Sequence, residues 1–304
     1  MAKLASGTVA SVIDLALDHK GTADTRTYRK RCKVPMIPPD AEQGIACGFI
    51  HPEDDLAPIK LLYVPHWVMW KPEWNEKVEA FVKDGGTLVI GAMTGTRDEH
   101  NHIPTVLAPG RGLSELCGVR VEEFGRVAEP GADGLFGLNG TEFGLHNPAK
   151  RFPASSAARR YKFVLGNQEH EAAHLYELLD VDADVEVLGQ WSSRFASGRA
   201  AITNRKVGRG SAVYIGTYLT EALVEGLADQ LFAHTGIAPL IADLPANVEV
   251  TVREAAHRKL LFVLNTDEGR VEVSSLPTGV DLLTGKEVNG CLSLASHESV
   301  VIRF

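Results

Sequence analysis

Two rhythms of apolar and polar positions run along this chain. Over the first 95 residues, apolar runs of strand length alternate with polar or helical stretches: Val9 to Ile13, Ile45 to Ile50, Leu61 to Val64 and Thr87 to Ile90. Each run ends near Asp, His or Gly, which is the rhythm of a parallel α/β sheet. Ahead of the last run, Trp74, Val78, Phe81 and Val82 recur at helical spacing, and Asp84-Gly85-Gly86 predicts a glycine stop. From about residue 96 to 170, glycine and proline are frequent and only fragments such as Arg120 to Phe124 look like strands. A large insertion with hairpins is expected there. Regular structure returns with Val185 to Trp191, Ala200 to Asn204 and Ala212 to Thr217, and Val207-Gly208-Arg209-Gly210 predicts a tight hairpin. A helix follows from about Glu221 to His234, whereas Pro35, Pro38 and Pro39 interrupt any helix between Asp18 and Gln43.

The second rhythm begins after Asp243-Leu244-Pro245, which reads as a linker. Val248, Val250 and Val252 alternate with polar residues, Leu260, Phe262 and Leu264 recur at every second position, Val271 and Val273 flank a polar residue, and the chain closes on Val300 to Phe304. Period-2 alternation with turns at Asp267-Glu268-Gly269, Pro277-Thr278-Gly279 and Thr284-Gly285 predicts a small antiparallel β-sandwich. The expected organisation is an α/β domain over 1–243 and an all-β domain over 244–304.

Composition narrows the function classes. With 304 residues, 44% hydrophobic, the chain can bury a sizeable core. A formal charge of −8, with no basic run longer than Arg29-Lys30-Arg31, argues against nucleic acid as a partner. Cys32, Cys47, Cys117 and Cys291 form no C-x-x-C pair and read as reduced thiols of a cytoplasmic protein. No stretch reaches the roughly 18 to 20 apolar residues of a membrane span, and no signal peptide is expected.

Three constellations could carry chemistry. Gly91-Ala92-Met93-Thr94-Gly95 has the glycine frame of a nucleophile elbow, the strained strand-to-helix turn of class I glutamine amidotransferases, but Met93 stands at the nucleophile position. A thioether cannot form an acyl intermediate, so amidotransferase activity is excluded; two glycines four apart also arise by chance after strands. His170-Glu171-Ala172-Ala173-His174 matches the H-E-x-x-H zinc pattern, which on a helix would set both histidines on one face. The third ligand is missing, since Glu177 and Asp180 stand where the extended motif needs Gly and His. Two exposed histidines on a polar segment are the plainer account, and Asp98-Glu99-His100-Asn101-His102 takes a similar discount. Trp67, Trp70 and Trp74 with Met69 form an aromatic stripe that could stack on sugar rings or, more in keeping with its spacing, form an interface.

Several segments, in order, resemble one family. Phe49-Ile50-His51-Pro52-Glu53-Asp54-Asp55-Leu56 followed by Leu61-Leu62-Tyr63-Val64-Pro65 resembles the entry into the trimerisation domain of family 42 β-galactosidases. Val82 to Val89 with Thr94-Gly95, Gly112 to Phe124, Ala201 to Asn204 and Tyr214 to Thr217 are similar to its later stretches, and Val280 to Lys286 to its closing β-domain. The resemblance implies a flavodoxin-like or class I glutamine amidotransferase-like domain followed by a β-sandwich, and a homo-oligomer, with a trimer favoured. It implies no catalytic residue here, because the family's two catalytic glutamates sit on a (β/α)₈ barrel and no such barrel is expected within this chain. The expected function is a non-catalytic scaffold, with a separate catalytic barrel as partner and no cofactor. The alternatives are a stand-alone carbohydrate-binding protein and a zinc hydrolase using His170, Glu171 and His174.

Overall fold

A computed structural model describes residues 8–11, 47–127 and 161–304, apart from 99, 111 and scattered positions at 221–238, 246 and 256–257. The expected proline-interrupted crossover between Asp18 and Gln43 lies outside the described residues. The chain divides into two compact units, 1–63 with 224–304, and 64–223.

In the first unit, β1 (Thr8–Ser11) pairs in parallel with β2 (Cys47–Phe49) and with β3 (Ile59–Val64). This is the parallel start that the apolar runs predict.

The second unit opens with helix α1 (Asn75–Lys83), which buries Val78, Phe81 and Val82. It stops as expected. Gly85, at φ +114°, donates its N–H to Val82 O, and Gly86 donates to Phe81 O, the two bonds of a Schellman cap. Strand β4 (Thr87–Gly91) follows, buried at every position. Next come α2 (Leu113–Cys117) and β5 (Val119–Arg126), then β6 (Lys162–Leu165), β7 (Gln168–Glu171), β8 (Ala173–Val181), β9 (Glu186–Trp191), β10 (Ala200–Val207), β11 (Gly210–Ile215) and β12 (Thr217–Tyr218). One sheet runs β4-β11-β10-β9-β6-β7: β11 is parallel to β4, and every later pair is antiparallel. The hairpin at Val207 and Gly210 joins β10 to β11. A second sheet has the order β12-β8-β5. Strand predominates among the described residues, so the α/β expectation needs correcting toward β. Parallel pairing holds at β1 to β3 and at β4 with β11, while the stretch read as an irregular insertion and its sequel supply antiparallel strands. The core between these strands includes Leu88, Ile90, Phe163, Ile202, Tyr214 and Ile215, all fully buried, each aliphatic member contributing about 1.5–3 kcal/mol.

Beyond 221 the described residues are helical through 235, with Leu223 and Leu227 buried. The closing segment carries β13 (Val248–Ala255), β14 (Arg258–Asn265), β15 (Val271–Val273), β16 (Gly279–Asp281), β17 (Glu287–Val288), β18 (Leu292–Leu294) and β19 (Ser299–Arg303). A five-stranded antiparallel sheet, β13-β14-β19-β16-β17, and the ribbon β15-β18 enclose a core of Val248, Val250, Leu261, Val263, Leu294 and Ile302. One face assignment is reversed from expectation. Leu261 and Val263 point inward, and Leu260, Phe262 and Leu264 are only partly buried. The run Leu260 to Leu264 is apolar on both faces, so alternation could not choose; pairing of Val250 with Val263 does. No described helix is long and apolar enough to cross a membrane.

Candidate functional site

The turn after β4 concentrates the unusual backbone and the buried polar groups of the second unit. At Gly91 an added Cβ would lie 2.9 Å from the backbone N of His66, so the close approach of the two segments requires glycine. Met93 then adopts φ +67°, a left-handed conformation uncommon outside glycine. Thr94, fully buried, ties the turn together: its hydroxyl donates to Gly91 O (2.7 Å) and accepts the Trp67 N–H (3.1 Å). Gly95, at φ +70°, donates its N–H to Trp67 O.

A carboxyl meets this turn from the second sheet. Glu177 on β8 is wholly buried; its Oε1 accepts the Met93 N–H at 2.8 Å, and its Oε2 pairs with the Tyr214 hydroxyl at 2.9 Å. Burial pushes the Glu177 carboxyl up to about 7, against the opposing pull of the two hydrogen bonds, and pushes the Tyr214 phenol well above its usual range. On the other side, His66 Nδ1 lies 2.9 Å from Ala92 O, and its ring stacks on Tyr218 at 3.7 Å and 9°. Burial lowers its pKa to about 4, so the imidazole is neutral at pH 7. Its Nε2 has no hydrogen-bond partner among the described residues. Chemically, the turn presents a thioether where acyl transfer needs a nucleophile, and its Met93 N–H is already bonded to a carboxyl.

Two of the other sequence-derived candidates border this cluster, Trp67 through its backbone bonds to Thr94 and Gly95 and His174 through the Tyr218 ring. The helix that the zinc reading requires is not formed: His170 and His174 lie on two successive strands, β7 and β8, and not one turn apart on a helix. His170 is also buried, not exposed, and stacks on Phe163, its cross-strand partner. Glu171 pairs in register with Lys162, and His174 meets the Tyr218 ring edge-on at 5.0 Å. No group of three or more His, Cys, Asp or Glu among the described residues is placed to hold a metal ion. Asp98 closes its loop on itself by accepting the His100 and His102 N–H groups.

Trp67, Trp70 and Trp74 pack edge-on against one another, with centroids 5.3 to 6.2 Å apart. A 3₁₀ turn at Pro72–Trp74 folds the stripe onto itself, and the Trp70 indole donates to Asn75 Oδ1. Trp67 and Trp70 are buried and Trp74 half-buried, so the exposed aromatic surface expected of the stripe is largely consumed within the chain. Sequence reasoning missed Glu177. The available signal was a single carboxylate inside the apolar run Leu175-Tyr176-Glu177-Leu178-Leu179.

Residues 41–238 match the family model described as the β-galactosidase trimerisation domain. The chain belongs to that family. Its relatives include the β-galactosidase BgaB of Geobacillus sp. strain Y412MC61, 26% identical over 233 residues, which are 77% of this chain and 30% of that protein. The β-galactosidase LacZ of Heyndrickxia coagulans is 27% identical over 289 residues, 95% of this chain and 38% of that protein. This chain thus spans about a third of the length of the curated relatives it matches. The crystal structure of a β-galactosidase from Bacillus circulans sp. alkalophilus superposes with a TM-score of 0.76 at 23% identity, covering 98% of this chain and 41% of that one. Together these identify the chain as corresponding to the portion of family 42 β-galactosidases that contains their trimerisation domain.

Proposed function

We propose that this chain is an oligomerisation scaffold of a β-galactosidase-type glycoside hydrolase, with no catalytic role of its own. The observation that carries the reading is the family match over 41–238. In the same reading, residues 1–243 form the trimerisation domain on an amidotransferase-like plan, 244–304 form the β-sandwich, and the catalytic barrel is a partner. Gly91, Met93 and Gly95 are a nucleophile elbow that has lost its nucleophile. The left-handed Met93 at the end of β4 supports this, because such a turn is the backbone signature of an elbow. The free thiols of Cys117 and Cys291 suit a reducing cytoplasm.

Three copies would associate through apolar surface that one copy leaves open. Ile103 and Leu107 lie on the loop after the elbow, and Phe124 on edge strand β5; they are 74%, 53% and 55% exposed. The Val121 N–H donates to Ala108 O, which fixes that loop beside β5. Leu107→Asp and Phe124→Asp should each weaken association at least tenfold in sedimentation equilibrium, since a buried unpaired charge costs several kcal/mol. Unchanged association in both variants would move the interface elsewhere. A chromogenic β-galactoside should not be hydrolysed by the purified chain, and turnover that survives repeated purification would refute the non-catalytic assignment.

A further inference from the structure

We propose that Glu177 is a pH-sensitive latch: protonated, its carboxyl holds the turn after β4 and strand β11 against β8, and its ionisation loosens that junction. The geometry carries the argument. Glu177 reaches from the middle of β8 to two separate elements, the Met93 N–H at 2.8 Å and the Tyr214 hydroxyl at 2.9 Å. Its own backbone is fixed on both sides, with its N–H donating to Gly216 O and its carbonyl accepting the Trp191 indole N–H. The side chain therefore cannot swing to solvent without breaking a buried network. An ionised carboxylate offers about four acceptor sites and is best held by a cation. Here it meets the neutral Met93 N–H and the neutral Tyr214 hydroxyl, which can accept the carboxyl proton from Oε2 as well as donate, and no Lys, Arg or His among the described residues pairs with it.

The other titratable groups packed around the junction do not supply a compensating charge. Tyr214 on β11 faces the carboxyl directly and is held neutral by burial. Cys117 at the end of α2 influences Tyr214, and burial raises its thiol to about 12. His66, bonded to Ala92 of the same turn, is neutral above about 4. His174 lies on β8 itself, facing Tyr218. Glu177 has a raised folded-state pKa, about 7 against 4.5. A raised carboxyl pKa means that the folded state holds the proton more tightly than the unfolded one. Its contribution to stability is complete below about 4.5 and is lost as pH rises through about 7. The proton leaves to solvent, and nothing else in the network changes its charge.

The direct test is carbon-13 NMR of selectively labelled glutamate carboxyls in the intact chain, with the Glu177 signal assigned by its loss in Glu177→Gln. A midpoint between 6 and 8 is expected; a midpoint at or below 5 would overturn the proposal, and it is readable in the wild-type protein even if the variant folds poorly. In parallel, the wild-type melting temperature should fall by roughly 5 °C more than that of Glu177→Gln between pH 5 and 8, the range in which the Glu177 proton is lost. His174→Gln should keep the wild-type pH dependence. Equal pH dependence in wild type and Glu177→Gln, or its loss in His174→Gln, would assign the effect to another group.

Discussion

Met93 shows how much one backbone angle can say. A methionine at φ +67° carries left-handed strain of about 1–2 kcal/mol, tolerated here because Thr94, Gly95 and Glu177 all bond to the turn around it. Relieving the strain should be harmless and deepening it should not. Met93→Gly is expected to leave chemical-denaturation stability unchanged or raise it by up to about 1 kcal/mol, whereas Met93→Val, with a branched Cβ, should lower it by about 1–2 kcal/mol. The reverse order would mean that the side chain and not the backbone angle holds the turn. Met93→Cys restores a nucleophile but should show no glutaminase activity: His66 is neutral, with its Nδ1 bonded to Ala92 O, and the Met93 N–H is bonded to Glu177. Activity in an ammonia-release assay would show an intact site. Gly91→Ala should destabilise by about 1–3 kcal/mol, because its methyl would sit 2.9 Å from the His66 backbone.

Elements differ in how openly the sequence announces them. Helix α1 was legible because apolar spacing, propensity and the Asp84-Gly85-Gly86 stop agree, and strand β4 because it is an unbroken buried run. Strand β8 was not: Ala173 to Val181 holds three Leu with one Ala and one Glu, all good helix formers, yet it lies between two strands of its sheet and is buried at five successive central positions. Burial on both faces removes the period that would mark a strand, and tertiary packing overrides propensity. The same blindness set the face of β14 wrongly and suggested a helical zinc motif at His170 and His174. The tryptophan stripe was legible as a cluster, but not its direction, which depends on the 3₁₀ turn at Pro72–Trp74. Trp70→Ala, which removes a buried ring and the bond to Asn75, should therefore cost about 3–5 kcal/mol, and Trp74→Ala clearly less. Equal losses would mean that Trp74 is covered by a contact outside this chain.

At the scale of the whole molecule, identity rests on the ordered match of 41–238 to the trimerisation-domain family and on a fold shared with family 42 β-galactosidases. Its candidate chemistry faces inward: the turn after β4 carries a thioether, the histidine beside it is neutral, and the buried Glu177 carboxyl bonds to that turn and to Tyr214. Among the described residues, outward-facing apolar side chains include Ile103, Leu107 and Phe124, besides Phe195 and Leu283, and the proposed association would cover the first three. Closed rings of identical subunits saturate such contacts at a fixed number of copies. The mass of the purified chain in solution, followed by multi-angle light scattering as concentration rises through the micromolar range, tests this most directly. A mass three times that of the 32.9 kDa chain is predicted, constant once the ring has closed; a mass that stays at a single chain throughout would contradict the scaffold assignment.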